Sequence, residues 1–216
     1  MQSVPWLAQE LSPDRQRINA WRVRGMSSLV TAPTAEPVDL AFFKTHGRID
    51  TAADDAVTTF RLKAARRWAE RYTGRAFMQQ TWSWTLLDGD ITQVVPILLP
   101  VVPVISVSSV TSYNGAGTPT VMSSAGYFLD AVSTPARLLL TEGSVWPSGL
   151  RQFNSLVVQY VAGYGTDPNL VPEEIRQAIL LLASEWYERV EATTDLGLAE
   201  IPFGIRALLD PYRVAA

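Results

Sequence analysis

The 216-residue chain contains no cysteine. That single absence removes disulfides, thiolate metal sites and cysteine nucleophiles together. Histidine is almost as scarce, with His46 the only one. Serine–histidine–acid chemistry would have to run through it, and no serine stands in a Gly-x-Ser-x-Gly elbow. Long apolar runs are missing as well. Residues 94–107 are broken by three prolines and residues 179–183 are too few, whereas a bilayer-spanning helix needs about 20 apolar residues. The first eight residues lack a basic start and a sustained apolar run, so no secretory signal is read and a soluble cytoplasmic protein is expected. Charge is thin in the middle of the chain: residues 77–170 carry only Arg137, Arg151, Asp88, Asp90, Asp130, Glu142 and Asp167, seven charges in 94 positions. A soluble domain usually carries charge at about a quarter of its positions. Two readings stay open here, a Ser/Thr-rich β surface or a surface hidden by other subunits, since interface cores are depleted in charge.

The charges that are present divide unevenly. Residues 1–76 hold 12 Lys+Arg against 8 Asp+Glu, and the remainder 6 against 13, so balances of +4 and −7 sum to the net −3. A hydrophobic content of 47% with seven tryptophans suffices for a sizeable core.

The strongest periodic signal is Val171–Ala192. Pro172 suits a first helical position, and Glu173 and Glu174 meet the positive end of the helix dipole. Ile175, Ile179, Leu182, Trp186 and Val190 form one face, which Leu180, Leu181 and Ala183 widen to about half the circumference. So broad a face has to be covered on more than one side. Upstream, Asp39 caps a short helix over 40–45 closed by Gly47, and a second helix runs from about Ala52 to Tyr72, with Thr51 or Asp50 as cap and Gly74 as left-handed stop. Its expected apolar stripe is Val57, Phe60, Ala64, Trp68 and Tyr72, with Lys63, Arg66, Arg67 and Arg71 on a solvated opposite face. Residues 1–30 are read as an arm with a helix start at Ser12-Pro13-Asp14, and Val30–Pro37 as a linker.

From Gln79 the period changes from 3.6 to 2. Trp82, Trp84 and Leu86 alternate with Thr81, Ser83 and Thr85. Leu98–Pro103 suits an edge position. Ile105–Tyr113 and Thr118–Met122 flank the hairpin loop Asn114–Gly117. Tyr127–Asp130, Arg137–Leu140 and Leu156–Val161 add three short strands. A last short helix, Pro202–Leu209, is stopped by Pro211. The expected fold class is α+β: a helical bundle of two N-terminal-side helices, a long C-terminal-side helix and a short last helix, with an inserted antiparallel β subdomain. The expected division is an arm and linker over 1–35, a helical core over 36–78 and 166–213, a β insertion over 79–165 and a tail over 214–216.

Chemistry is hard to find. His46 is placed to meet the negative end of a helix dipole. Neighbouring Asp54 and Asp55 point to different sides of a helix, and Asp88 and Asp90 straddle a glycine as turn residues do. Neither Asn114–Gly117 nor Gly163–Gly165 leads from a strand into a helix with a following lysine, so neither is a phosphate loop. No enzyme, no cofactor and no metal are expected.

Several motifs follow one another in the chain: Glu36–Leu40, Tyr72–Ala76, Gln80–Trp82, Leu99-Pro100 with Val104–Val107, Pro135–Leu138, Trp146-Pro147 and Tyr160–Gly165. The strongest are Val171-Pro172 with Ile175–Leu182, then Trp186–Glu188 and the closing Ile205–Arg213. In this order they resemble the head–tail connector (adaptor) proteins of long-tailed bacteriophages and prophages. The resemblance implies a non-enzymatic virion protein of the neck, present in the host cytoplasm before assembly. It implies a ring, a dodecamer in this family, that docks under the portal protein, extends the DNA channel so that DNA passes through, and receives a stopper or tail-completion protein, with no membrane partner. On that reading the excess apolar arc Leu180, Leu181 and Ala183 meets the sheet or the next subunit, and the tail residues Tyr212, Arg213 and Val214 reach toward the portal. The rival from another class is a carbohydrate-binding β-rich module of a phage tail or fibre that uses Trp82 and Trp84.

Overall fold

The computed structural model describes residues 25–87, 96–188 and 203–214. Four helices occur among them: α1 (Leu40–Gly47), α2 (Asp55–Thr73), α3 (Glu173–Glu188) and α4 (Phe203–Leu209). Eight strands accompany them: β1 (Gly25–Thr31), β2 (Gln80–Leu86), β3 (Ile97–Leu99), β4 (Val104–Tyr113), β5 (Pro119–Val121), β6 (Tyr127–Asp130), β7 (Ala136–Leu140) and β8 (Leu156–Ala162). The expected α+β class is the observed one. One sheet has the order β1-β2-β8-β4-β5 and a smaller one the order β3-β7-β6, with every pairing antiparallel. Trp84, Leu86, Val158 and Tyr160 of the large sheet share one buried cluster with Ile97, Leu99, Ala136 and Leu138 of the small one. The helices enclose a second cluster.

Local chemistry sets most boundaries. Asp39 caps α1 by accepting a 2.7 Å hydrogen bond from the Phe42 amide, which satisfies one of the unpaired first-turn donors. The stop is one residue later than expected: α1 runs through Gly47, and Arg48 takes the left-handed conformation at φ 52°. Gly74, at φ 72°, ends α2 as expected, its amide bonded to the Glu70 carbonyl at 2.9 Å. Helix α2 starts at Asp55, later than expected, because the Thr51 hydroxyl accepts from the Ala53 amide in a turn of its own. In the hairpin loop, the Asn114 carboxamide oxygen accepts from the amides of Ala116 and Thr118, and Gly117 sits at φ 81°.

Two expectations change. The buried face of α2 is Thr58, Leu62, Ala65, Arg66, Ala69 and Thr73, whereas Val57 and Phe60 are 48% and 71% exposed. Alanines 65 and 69 let α3 approach closely, so the small residues face inward. Trp68 and Tyr72 are left stacked at the margin, ring centroids 5.1 Å apart. Residues 25–31, read as part of the arm and linker, form β1, paired with β2 from Gly25↔Leu86 to Thr31↔Thr81. The Ser12 helix start lies outside the described residues, as does the end of the long helix beyond Glu188.

Tyr160 is fully buried in the sandwich, and burial pushes its phenol up to about 12, with the Ser27 side chain and the Val101 backbone amide pulling the other way. A phenol whose folded value is raised stabilises the fold fully below its unfolded value near pH 10, and that contribution is lost as pH rises through the folded value. Urea unfolding between pH 9 and 12 should therefore lose on the order of 2 kcal/mol that the Tyr160→Phe protein retains.

Candidate assembly surfaces

Helices α2 and α3 pack against each other, and a buried ionic network ties α2 to the large sheet. Arg66 of α2 donates from Nε to Glu36 at 2.7 Å and from Nη1 to Glu70 at 2.6 Å. The other Glu70 oxygen accepts from the Phe77 amide at 2.9 Å and from Gln80 Nε2 at 2.8 Å, where β2 begins. Burial pushes the Glu70 carboxyl up, and Arg66, Phe77 and Gln80 pull it back. Burial also works against the Arg66 cation, but Glu70 and Glu36 outweigh it and hold the guanidinium charged. Arg66, read from the sequence as solvated, is thus a buried clamp between linker, helix and sheet. Its spacing to Glu70 was visible; its partner 30 residues upstream was not.

A second clamp holds the C-terminal segment. Tyr212 donates to Glu174 at 2.9 Å, and its carbonyl accepts from Arg75 Nε at 2.6 Å. Tyr72 donates to Asp210 at 2.6 Å, Arg213 lies 5.0 Å from the Tyr72 ring centroid, and the Val214 amide bonds to the Thr73 carbonyl at 2.8 Å. Tyr212 is raised by burial and by its bond to Glu174. Tyr212, Arg213 and Val214 are therefore docked against the end of α2 and do not project from the body. Residues 215 and 216 lie outside the described residues.

The apolar arc of α3 divides. Leu180 and Ala183 are buried within the chain's own helical cluster, so neither is open to a neighbour, and only Leu181 remains half-buried. The sequence-stretch 77–170 carries another kind of surface: Ile105, Val121, Phe128, Val132, Val145 and Phe153 are each at least 45% exposed. Side chains of this size, among so few charges, favour the hidden-surface reading of that stretch over a Ser/Thr-rich one.

Catalytic geometry is not assembled among the described residues. His46 is exposed at the end of α1. Asp55 pairs with Lys44 at 2.7 Å, and Asp54 accepts from Tyr187 at 3.4 Å. Asp88 and Asp90 lie outside the described residues. No cluster of three or more metal-ligating side chains occurs among the described residues, and none of their helices is long and apolar enough to cross a membrane. Trp82 and Trp84 share one face, as alternation requires, but Trp84 is 2% exposed between the sheets and Trp82 packs partly buried beside it. The small sheet covers Trp84, whereas Trp82 borders the C-terminal half of α2. A pair of open rings for stacking a sugar is not formed.

Residues 148–213, which span β8, α3, α4 and the C-terminal clamp, match the family described as phage gp6-like head–tail connector protein. In fold, the chain is similar to a chain from the virion of a native gene transfer agent (GTA) particle, with a TM-score of 0.72 and 26% identity, over 88% of this chain and 96% of that one. It is similar with TM-scores of 0.69, at the same identity and coverage, to chains from the neck of an empty GTA particle computed with C6 symmetry and from the neck of a native GTA particle computed with C12 symmetry. Comparison with curated proteins gives no match. The family match over residues 148–213 and a fold shared over 88% of the chain with a gene transfer agent virion chain together support a structural connector role.

Proposed function

We propose that the chain is a non-enzymatic neck component that assembles as a ring of about twelve copies, by head-to-tail contacts that close on rotation. The observation that carries this reading is the fold held in common with nearly the whole of a neck chain from a particle computed with C12 symmetry. The ring sits below the portal protein, extends the channel through which DNA passes, and offers its far face to a stopper or tail-completion protein. Before assembly the chain resides in the host cytoplasm. The net charge of −3 suits a channel wall that DNA must cross without adhering, since affinity for phosphate comes from Lys and Arg contacts. The helical core packs around the ring and the sandwich, with its exposed apolar side chains, supplies contacts to neighbours. Leu181 is the α3 residue left for a neighbouring copy.

Deleting the gene from a particle-producing strain should yield filled heads without tails, and supplying the chain in trans should restore tailed particles. Normal tailed particles from the deletion strain would refute the proposal.

A further inference from the structure

A cleft of about 640 Å3 opens between the C-terminal half of α2 and the β1–β2 corner of the large sheet. Leu29, Trp82 and Val101 give it an apolar floor, and Arg67, Arg71 and Arg75 line its other side. Arg66, at the same place, is consumed by Glu36 and Glu70. Arg67 and Arg71 are exposed and form no ion pair with any described residue, while Arg75 already donates to the Tyr212 carbonyl. Leu29 and Trp82 are direct cross-strand partners, so the cleft wall includes β1 itself. Among the described residues β1 is an outermost strand, paired on one side only. Its free side therefore presents backbone donors and acceptors beside a basic rim, a template for one more strand.

We infer that this corner binds an extended acidic segment of a partner protein, added as a strand outside β1. Alternate side chains of the guest face the cleft, carboxylates reaching Arg67 and Arg71 and an apolar side chain resting on Trp82. The identity of the partner as a neighbour in the neck rests on the connector reading; the chemistry of the corner does not. Charge complementarity selects the occupant. Residues 1–24 of the chain itself carry Arg15, Arg17, Arg22 and Arg24 against Glu10 and Asp14, a balance of +2 that the arginine rim repels. Duplex DNA has the right sign but uses neither an apolar floor nor a strand edge.

The test uses the full chain and a fluorescein-labelled peptide of sequence Thr-Asp-Thr-Leu-Thr-Glu-Thr, followed by anisotropy at low salt. Saturable binding is expected, weakened about tenfold or more by R67E/R71E and by Asn and Gln in place of the peptide acids. N-methylation of alternate peptide amides should weaken it comparably, because it removes the strand hydrogen bonds without touching the protein; this arm stands even if the arginine variant fails to fold. Absence of saturable binding, indifference to both sets of substitutions, or displacement of the peptide by short duplex DNA would each overturn the inference. Loss of peptide binding when the chain assembles with itself would overturn it in favour of a second copy as occupant. A chain found in the neck that binds no peptide defeats this inference alone; a chain absent from the neck defeats the connector reading whatever the peptide does.

Discussion

Replacing Arg66 with alanine is expected to destabilise the fold by about 3–5 kcal/mol, because it leaves buried carboxylates without their cation. The side chains of Arg66, Glu70 and Glu36 are 5%, 12% and 17% exposed, so water cannot take over the lost contacts. The consequence reaches beyond one ion pair. Glu70 also accepts from the Phe77 amide and from Gln80, so its neutralisation or displacement disturbs the point where the chain passes from α2 into β2. A fold stabilised by roughly 5–15 kcal/mol would lose a large share of its margin. Arg67→Ala, one residue away but exposed and without an ion pair among the described residues, should change stability by no more than about 0.5 kcal/mol. Urea unfolding of the two proteins measures the contrast. Equal stability of the Arg66 and Arg67 variants would show that the network contributes nothing.

Gly163→Ala is expected to be of similar size, roughly 2–6 kcal/mol from backbone strain and overpacking together. Gly163 sits at φ 131°, where only glycine rests without strain. An added Cβ would lie 2.7 Å from the Gln79 nitrogen and closer still to the Met78 carbonyl, and backbone on both sides cannot give way as a flexible side chain can. The close approach exists because β8 leaves the sheet here: the Gly163 amide bonds to the Pro103 carbonyl at 2.9 Å and the Tyr164 amide to the Phe77 carbonyl at 3.1 Å. Gly117→Ala is the matched control, at φ 81° but with open space around it. It should cost about 1–2 kcal/mol for the left-handed backbone alone. Thermal unfolding of both variants separates clash from strain, and an equal cost would remove the clash from the account.

Local signals in the sequence carried far. Asp39 as a cap, Gly74 as a stop and Asn114–Gly117 as a hairpin loop each depend on chemistry within four or five residues, and each is found in place. What escaped depends on partners distant in the chain. The α2 face was misread because its aromatics outweigh its alanines in any hydrophobic count, while close packing against α3 selects the alanines. Strand β1 was missed because nearly all its residues are exposed, so no alternation betrays it; the ladder with β2, fifty residues on, makes it a strand. The C-terminal clamp joins Tyr72 to Asp210 across 138 residues, and a tail that looked free in sequence is held by it. Of the interface residues expected on α3, Leu180 and Ala183 turned inward because the helices cover them, a choice that periodicity over a half-apolar helix leaves open.

The central claim is that copies of this chain form a closed ring in the neck of a particle. Averaged electron microscopy of particle necks, with the chain located by its own side-chain density, tests it most directly. The account predicts a ring of this chain between the portal and the tail, helices packed around the channel and the charge-poor sandwich covered by neighbours. A neck ring built wholly of other proteins, or this chain found only on a tail fibre, would contradict it.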